Sequence, residues 1–416
     1  MLRSEIFWAV AVTWSAVVQA WLVELISGAK EWDIVWAMAA IAGAFFGIMG
    51  GVFGIGWRLG RFFDKSGAAL KYEIKDLTTQ LDAATHKGEV AKAEAVDATG
   101  QLTKLNELRA ALESDEDDSL WQLRGLAEAP QAIRDYLSAK STKIVTVMNL
   151  KGGVGKTTTV ANLAAYFSAQ GKKVLAIDMD YQGSLSRMML LGALGGTREG
   201  EGPRVAEFLS GNPDVAGLRR QVVSLAPALA NVDLVTANIT LDKIENRLLV
   251  QWLIGDIEDD IRYRLASVLT SEPFHGYDII LIDAPPRMST GAVNALACSQ
   301  YLLMPTVLDE LSAQGIGVMV DRLTQVRQMN MRLEYVGVIG TLRGQLGGAD
   351  VQARAREVAQ EQVANWAGVS YLFENDIQYF TSLARQAGTN VGYLQDKSVK
   401  AAYDFLGQEL SRELRL

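Results

Sequence analysis

Lys151-Gly152-Gly153-Val154-Gly155-Lys156-Thr157-Thr158 puts three glycines, two lysines and two hydroxyls into eight consecutive residues. The chemistry open to such a run is the wrapping of an oligophosphate. Glycines expose backbone N–H groups and reach conformations closed to other residues, so the chain can curl around phosphate oxygens. Lys156 adds a full positive charge there, and the Thr157 hydroxyl can ligate a divalent cation. Ile144–Asn149 reads as a strand before the run and a helical pattern starts near Thr157, so a helix N-terminus points at the same anion. The general pattern GxxxxGK[ST] fails at one place: Leu150 stands where it asks for glycine, and Lys151 follows. Three carboxylates sit at the ends of apolar runs. Asp178 closes Val174–Asp178, Asp180 lies two residues on, and Asp283 closes Asp278–Asp283.

Other chemistries are poorly supplied. Cys298 is the single cysteine and there are two histidines, so one chain can build no disulfide, CxxC zinc site or cysteine-ligated iron–sulfur cluster. Cys298 is expected as a buried thiol in an α/β core. A formal net charge of −8 argues against a generally basic nucleic-acid binder.

The elements that must hold the phosphate loop occupy 142–416. Strand-like runs at Ile144–Asn149, Val174–Asp178, Val232–Ala237, Asp278–Asp283, Tyr301–Pro305 and Tyr335–Thr341 alternate with helical stretches. That alternation predicts an α/β fold, a parallel sheet wrapped by helices.

The first 141 residues read differently. Residues 1–60 are expected to form a transmembrane helical hairpin, with spans at 6–26 and 34–57, each close to the ~20 residues that cross a hydrocarbon core. Six of the nine tryptophans fall within the first 57 residues, as interface anchors do. Arg58, Arg61 and Lys65 follow the second span and Arg3 precedes the first, which orients both termini to the cytoplasm. Ala39, Gly43, Gly47 and Gly51 share one face of the second span, suited to close helix packing within the hairpin or between chains. Residues 61–118 read as a helical stalk with heptad seams that allow a coiled coil. One seam runs from Phe63 through Leu77 and Leu105 to Leu112; its companion runs from Gly67 through Leu81 and Leu102 to Arg109. Within the linker 119–141, Ser119–Ala129 is expected as a short helix ended by Pro130.

Lys151–Thr158 is similar to the deviant Walker A motif, KGGxGKT, of the ParA/MinD family of positioning ATPases. Val174–Ser184 (VLAIDMDYQGS) resembles the family's DxDPQG segment, and Tyr277–Pro286 (YDIILIDAPP) resembles its Walker B strand. Asn294–Ala297, Leu302–Pro305, Val338–Thr341 and Phe373–Gly392 resemble later parts of the family in order. The resemblance covers 142–416 and none of the first 140 residues. It implies ATP and Mg²⁺ as cofactors, and an ATP-dependent homodimer. Lys151 would reach the partner subunit's nucleotide, and Lys156 would hold the phosphates. Gly152, Gly153, Val154, Gly155 and Thr158 would line the nucleotide. Thr157 would ligate Mg²⁺ directly, with Asp178 near the metal and Asp283 holding it through water. Asp180 would orient the attacking water. Two departures stand out. Tyr181 replaces the usual proline, and Ile377-Gln378-Tyr379 lacks the Ile-Pro-Arg of DNA-segregating members, which argues against DNA binding.

The function expected is a membrane-anchored ATPase of the inner (cytoplasmic) membrane, with its ATPase domain in the cytoplasm. Dimerisation on ATP and Mg-dependent hydrolysis would act as a switch on a protein partner encoded nearby. An ATP-gated component of a membrane assembly, in anti-phage defence or envelope organisation, is the alternative. A tyrosine kinase of the polysaccharide-export type fits less well: the loop between the spans is short and the tail from Lys397 holds only Tyr403.

Overall fold

The computed structural model describes residues 67–113, 119–125, 128–139, 141–196, 204–211, 213–309, 315–317, 319, 329–330, 332–342, 349–364, 372–385 and 389–416. Both expected membrane spans lie outside these residues. Among the described residues no helix is long and apolar enough to cross a membrane. The chain divides into two compact units, Met1–Lys104 and Leu105–Leu416.

Helix α1, Gly67–Glu113, runs for 47 residues within the stretch 61–118. Thr79, Thr85, Thr99 and Thr103 donate their hydroxyls to the carbonyl four residues back, sharing the acceptors of the helix ladder. Seam residues Leu81, Leu102 and Leu105 are exposed on it.

Among the described residues seven strands form one sheet: β1 Lys143–Val147, β2 Val174–Asp178, β3 Val223–Ser224, β4 Val232–Val235, β5 Ile279–Asp283, β6 Tyr301–Val307 and β7 Glu334–Thr341. The order is β3-β4-β2-β5-β1-β6-β7. Every pairing is parallel except that of β3 with β4. A parallel sheet covered on both faces demands strands apolar on both sides, which is why these runs are continuous rather than alternating. In β5, Ile280 and Ile282 face one core while Ile279 and Leu281 face the other.

Helices α2 Gln131–Ala139, α5 Thr240–Ile254, α6 Thr290–Cys298 and α7 Ala349–Ala364 contribute to the first core. Helices α3 Lys156–Ala169, α4 Ser184–Leu194 and α8 Lys397–Leu414 contribute to the second. Each fully buried Leu or Ile contributes about 1.5–3 kcal/mol, so these two layers carry most of the domain's stability. Helices α3 and α8 approach closely at Gly407, where a Cβ would run into the Tyr166 ring. Cys298 is buried as expected, and burial pushes its thiol up to about 12.

The linker departs from expectation. Its first helix covers only Ser119–Gln122, because Gly125, at φ +71°, turns the chain and donates its N–H to Gln122 O at 2.8 Å. Pro130 opens α2 rather than closing a helix, its carbonyl accepting from Ile133 and Arg134 N–H at 3.0 and 3.1 Å. Trp121 is buried against Trp252, ring centroids 6.3 Å apart, and its Nε1 donates to Met288 O at 3.3 Å. Arg262 Nη1 donates to Trp121 O at 2.9 Å, and Arg124 donates to Trp252 O and Ile257 O. The segment entering the domain is thus docked by its side chain and its backbone.

Candidate functional site

Three strands end together. Val147 of β1 is level with Asp283 of β5, and Asp283 is level with Asp178 of β2. The chain leaves β1 at this row and returns as α3, so the glycine-rich loop lies beside both carboxylates. Gly153 and Gly155 adopt φ +75° and +85°, conformations that an L side chain resists. Gly152 is exposed and Val154 is buried, anchoring the loop from below. Two side chains outside the motif fix its ends. Asn149 accepts from Lys151 N–H at 2.9 Å and donates to Pro305 O at 2.8 Å. Thr341 donates to Val154 O at 2.9 Å.

Lys156 Nζ donates to Lys151 O at 2.9 Å, crossing the loop it belongs to. Burial lowers its pKa, while Asp283 and then Asp180 oppose that shift. Thr157 Oγ1 donates to Asp283 Oδ2 at 2.7 Å. Thr158 stands in the first turn of α3, its carbonyl accepting from Asn162 Nδ2 at 2.7 Å. Lys151 projects outward, half-exposed, with Nζ 3.6 Å from Asp309 Oδ2.

The carboxylates differ in how they are held. Asp178 Oδ2 accepts from the Ser186 N–H at 2.8 Å and hydroxyl at 2.7 Å, and Oδ1 accepts from Asp180 N–H at 3.1 Å. Burial pushes its pKa to about 6 against those donors. Asp178 therefore braces the turn that follows β2. Asp283 is raised well above the carboxylate range, by burial first and by Asp178's charge second, and its Oδ1 is buried with no hydrogen-bond partner. Asp180 is half-buried on the turn, where its Oδ1 accepts from Gln182 N–H at 3.0 Å.

This donor set fits a divalent cation bound together with phosphate. An orphaned buried carboxylate oxygen next to a threonine hydroxyl and a lysine is a costly arrangement unless a cation or bridging water satisfies it. Among the described residues no group of three or more His, Cys, Asp or Glu could hold a metal ion unaided. Phosphate oxygens and water must complete such a shell, as is usual for Mg²⁺.

The structure brings Lys156, Thr157, Asp178, Asp180 and Asp283 to one place, with Lys151 at its rim. Sequence reasoning missed Asn149, Thr341 and Ser186, and it missed a network around Tyr181. The Arg287 guanidinium lies over the Tyr181 ring, 5.0 Å from its centroid. Arg287 Nη2 is 2.6 Å from Asp242 Oδ1 and 3.7 Å from Glu245 Oε2. Glu245 is buried and its pKa is raised, chiefly by that burial.

A central parallel strand delivering a glycine loop to a helix N-terminus, with a carboxylate on the adjacent strand, defines a P-loop nucleotide-binding protein. Comparison with known proteins narrows the class. A family model described as an AAA domain matches residues 142–335. The chromosome-partitioning ATPase Soj of Thermus thermophilus is 33% identical over 207 residues, covering 50% of this chain and 71% of the relative. The chromosome partitioning protein ParA of Caulobacter vibrioides is 30% identical over 210 residues, covering 50% and 72%. The chain belongs to this Soj/ParA family of P-loop ATPases. An uncharacterised protein of Mycobacterium tuberculosis is 32% identical over 216 residues, 51% of this chain and 63% of the relative. The chain thus covers less than two thirds of that relative's length. Among solved structures, cobyrinic acid a,c-diamide synthase from Mycobacterium smegmatis with bound ATP analogue and magnesium superposes with a TM-score of 0.51. It is 24% identical and covers 66% of this chain and 96% of its own. An ATP complex of Cyanothece McdA also gives 0.51, at 19% identity, over 66% and 97%. At these identities the likeness is one of fold.

Proposed function

We propose that this chain is a membrane-anchored Soj/ParA-type ATPase whose ATP-dependent dimerisation and Mg-dependent hydrolysis switch the state of a protein partner. The observation that carries the reading is the two-lysine loop. Lys156 turns inward to where phosphates would lie, whereas Lys151 points outward at the rim, able to meet a second subunit.

Each residue has a role in that cycle. The loop N–H groups and Lys156 would bind the phosphates, and Thr157 and Asp283 would hold Mg²⁺, with Asp178 setting the adjoining turn. The ion would supply charge neutralisation on the phosphates. Asp180 orients the attacking water. Lys151 of one subunit contributes its charge to the other's nucleotide, so hydrolysis follows association. Phosphoryl transfer depends chiefly on positioning and charge, which suits a switch assembled from two halves.

The anchor rests on the apolar runs 6–26 and 34–57 and the basic residues beside them, which support an inner-membrane location with the ATPase domain in the cytoplasm. The exposed leucines of α1 support pairing of the stalk. Relatives named for chromosome partitioning suggest that the partner belongs to a positioning or assembly system, and a nearby gene is its expected source. A chain fixed in lipid cannot cycle on and off its surface, so the switch must act in place.

The test is the mass of the full-length protein in detergent, with and without Mg-ATP, for the wild type, Lys151→Ala and Asp180→Ala. Asp180→Ala should accumulate the ATP-dependent assembly. Lys151→Ala should bind ATP yet neither gain mass nor hydrolyse it. A wild-type mass indifferent to ATP would sink the switch.

A further inference from the structure

The turn carrying Asp180 joins β2 to α4 in a few residues. It is fixed from behind by Asp178, which accepts from the Asp180 N–H, and by Gly183, whose backbone lies so close to Ala237 O that a Cβ would sit 2.9 Å from it. Tyr181 is partly buried on the turn and packs against the first core, while its neighbour Gln182 is exposed. Its φ is set by no ring, so side-chain contacts must restrain it.

We propose that Arg287 is a positioning residue for hydrolysis, clamping the Asp180 turn by stacking its guanidinium on Tyr181. The proposal rests on the reading of Asp180 as the residue that orients water. Three observations carry it. The guanidinium carbon lies 5.0 Å from the Tyr181 ring centroid, within the range where a cation is attracted to an aromatic face. The guanidinium is itself immobilised, bonded to Asp242 Oδ1 at 2.6 Å with Glu245 Oε2 at 3.7 Å. Glu245 is buried and in turn pinned to the start of α6, its Oε1 accepting from the Ser289 hydroxyl and the Gly291 N–H. A planar guanidinium held at its edge by carboxylates presents its face without further ordering cost.

Arg287 follows Asp283 by four residues, so one short segment carries both the carboxylate beside Thr157 and the arginine that reaches Tyr181. The stacking thereby adds to the Met179 N–H bond to Asp283 O at 2.9 Å, which ties the same two segments at the strand ends. Arg287 itself touches neither phosphate loop nor Lys156 in the interactions described above; it acts through Tyr181.

A double-mutant cycle on ATP turnover by the full-length protein tests this, with thermal unfolding to confirm that each variant folds. Arg287→Ala and Tyr181→Ala should each lower kcat about 2- to 5-fold at unchanged KM for ATP, the effect of losing one partly exposed cation–π contact. The double variant should be no slower than either single one, and Tyr181→Phe, which keeps the aromatic face, should stay near wild type. Effects that multiply, a loss confined to KM, or unchanged kcat would overturn the clamp. Asp180→Ala separates this from the underlying reading: full turnover in that variant refutes the role of Asp180. Hydrogen exchange in the nucleotide-free protein gives a readout independent of turnover. Arg287→Ala should speed exchange across 180–183, with no further gain in the Tyr181→Ala background. Unchanged exchange there would equally overturn the proposal.

Discussion

Removing the Trp121 side chain should cost the ATPase domain more than any other change in the linker. The ring is 2% exposed, stacked obliquely on Trp252, and its Nε1 donates to Met288 O. Truncating a buried Trp to Ala typically costs about 3–5 kcal/mol. The long 3.3 Å hydrogen bond adds little beyond the ~0.5 kcal/mol at the low end for such bonds. The Arg262 bond to Trp121 O uses the backbone and survives the substitution. For a domain of this size each kcal/mol moves Tm by about 2–4 °C, so Trp121→Ala should lower it by roughly 6–20 °C. A second route sets an upper limit. If undocking 119–125 is cheaper than unfolding the domain, the segment detaches and Tm falls by less. Proteolysis then reports the change, as new cleavage around Leu123–Ala129. Calorimetry and limited proteolysis of wild type, Trp121→Ala and Trp121→Phe are the assays, with Phe expected to retain most of the packing. If Trp121→Ala shifts neither Tm nor the cleavage pattern, the docking is not energetically real and the reasoning fails.

Lys156→Ala should weaken Mg-ATP binding about 10- to 100-fold, the range for a lost charge-assisted contact, as measured by titration with a fluorescent ATP analogue. Gly407→Ala sets two effects against each other. The helix gains about 1 kcal/mol in propensity, but a Cβ meets the buried Tyr166 ring, which packs edge-on against Phe167, at an overpacking cost of about 1–3 kcal/mol. The clash should win, and urea unfolding should show net loss. Glu245→Gln concerns pH. The folded-state pKa of Glu245 is raised above its ordinary 4.5, so the folded protein holds that proton longer than the unfolded one. Wild-type stability should therefore fall relative to Glu245→Gln as pH rises from about 4.5 through the raised value, then run parallel. Denaturation curves at several pH values check this; a wild type that gains stability relative to Glu245→Gln over that pH range would contradict it.

Much of this domain was legible because parallel strands buried on both faces cannot hide their composition. Ile279–Leu281 and Leu175–Ile177 are apolar throughout, and the strands they mark are found where expected. Two-residue β3 carries no such pattern, since an edge pairing that short needs little from its side chains. The linker is ambiguous in sequence because proline either stops or starts a helix, and only the carbonyl of Pro130 and the positive φ of Gly125 distinguish the cases. At the site, the phosphate loop announced itself through contiguous residue types. The Tyr181–Arg287–Glu245 network did not, since its members are far apart in sequence and meet only after folding. A charged residue at a core position of α5 was the one available hint, and Glu245 supplies it.

The five residues from Asp283 to Arg287, with Met288 after them, answer to three different neighbours. Asp283 faces Thr157, Arg287 covers Tyr181, and the Met288 carbonyl receives Trp121. In evolutionary terms one short loop is answerable to positions 121 and 181 at once, so a change in it is expected to bear on both. A lineage that gives up the arginine must also find another way to restrain the tyrosine. One that reshapes the loop to do so must also alter how the chain enters the domain. Substitutions at these positions should therefore arrive together across relatives, although the residues lie far apart along the chain.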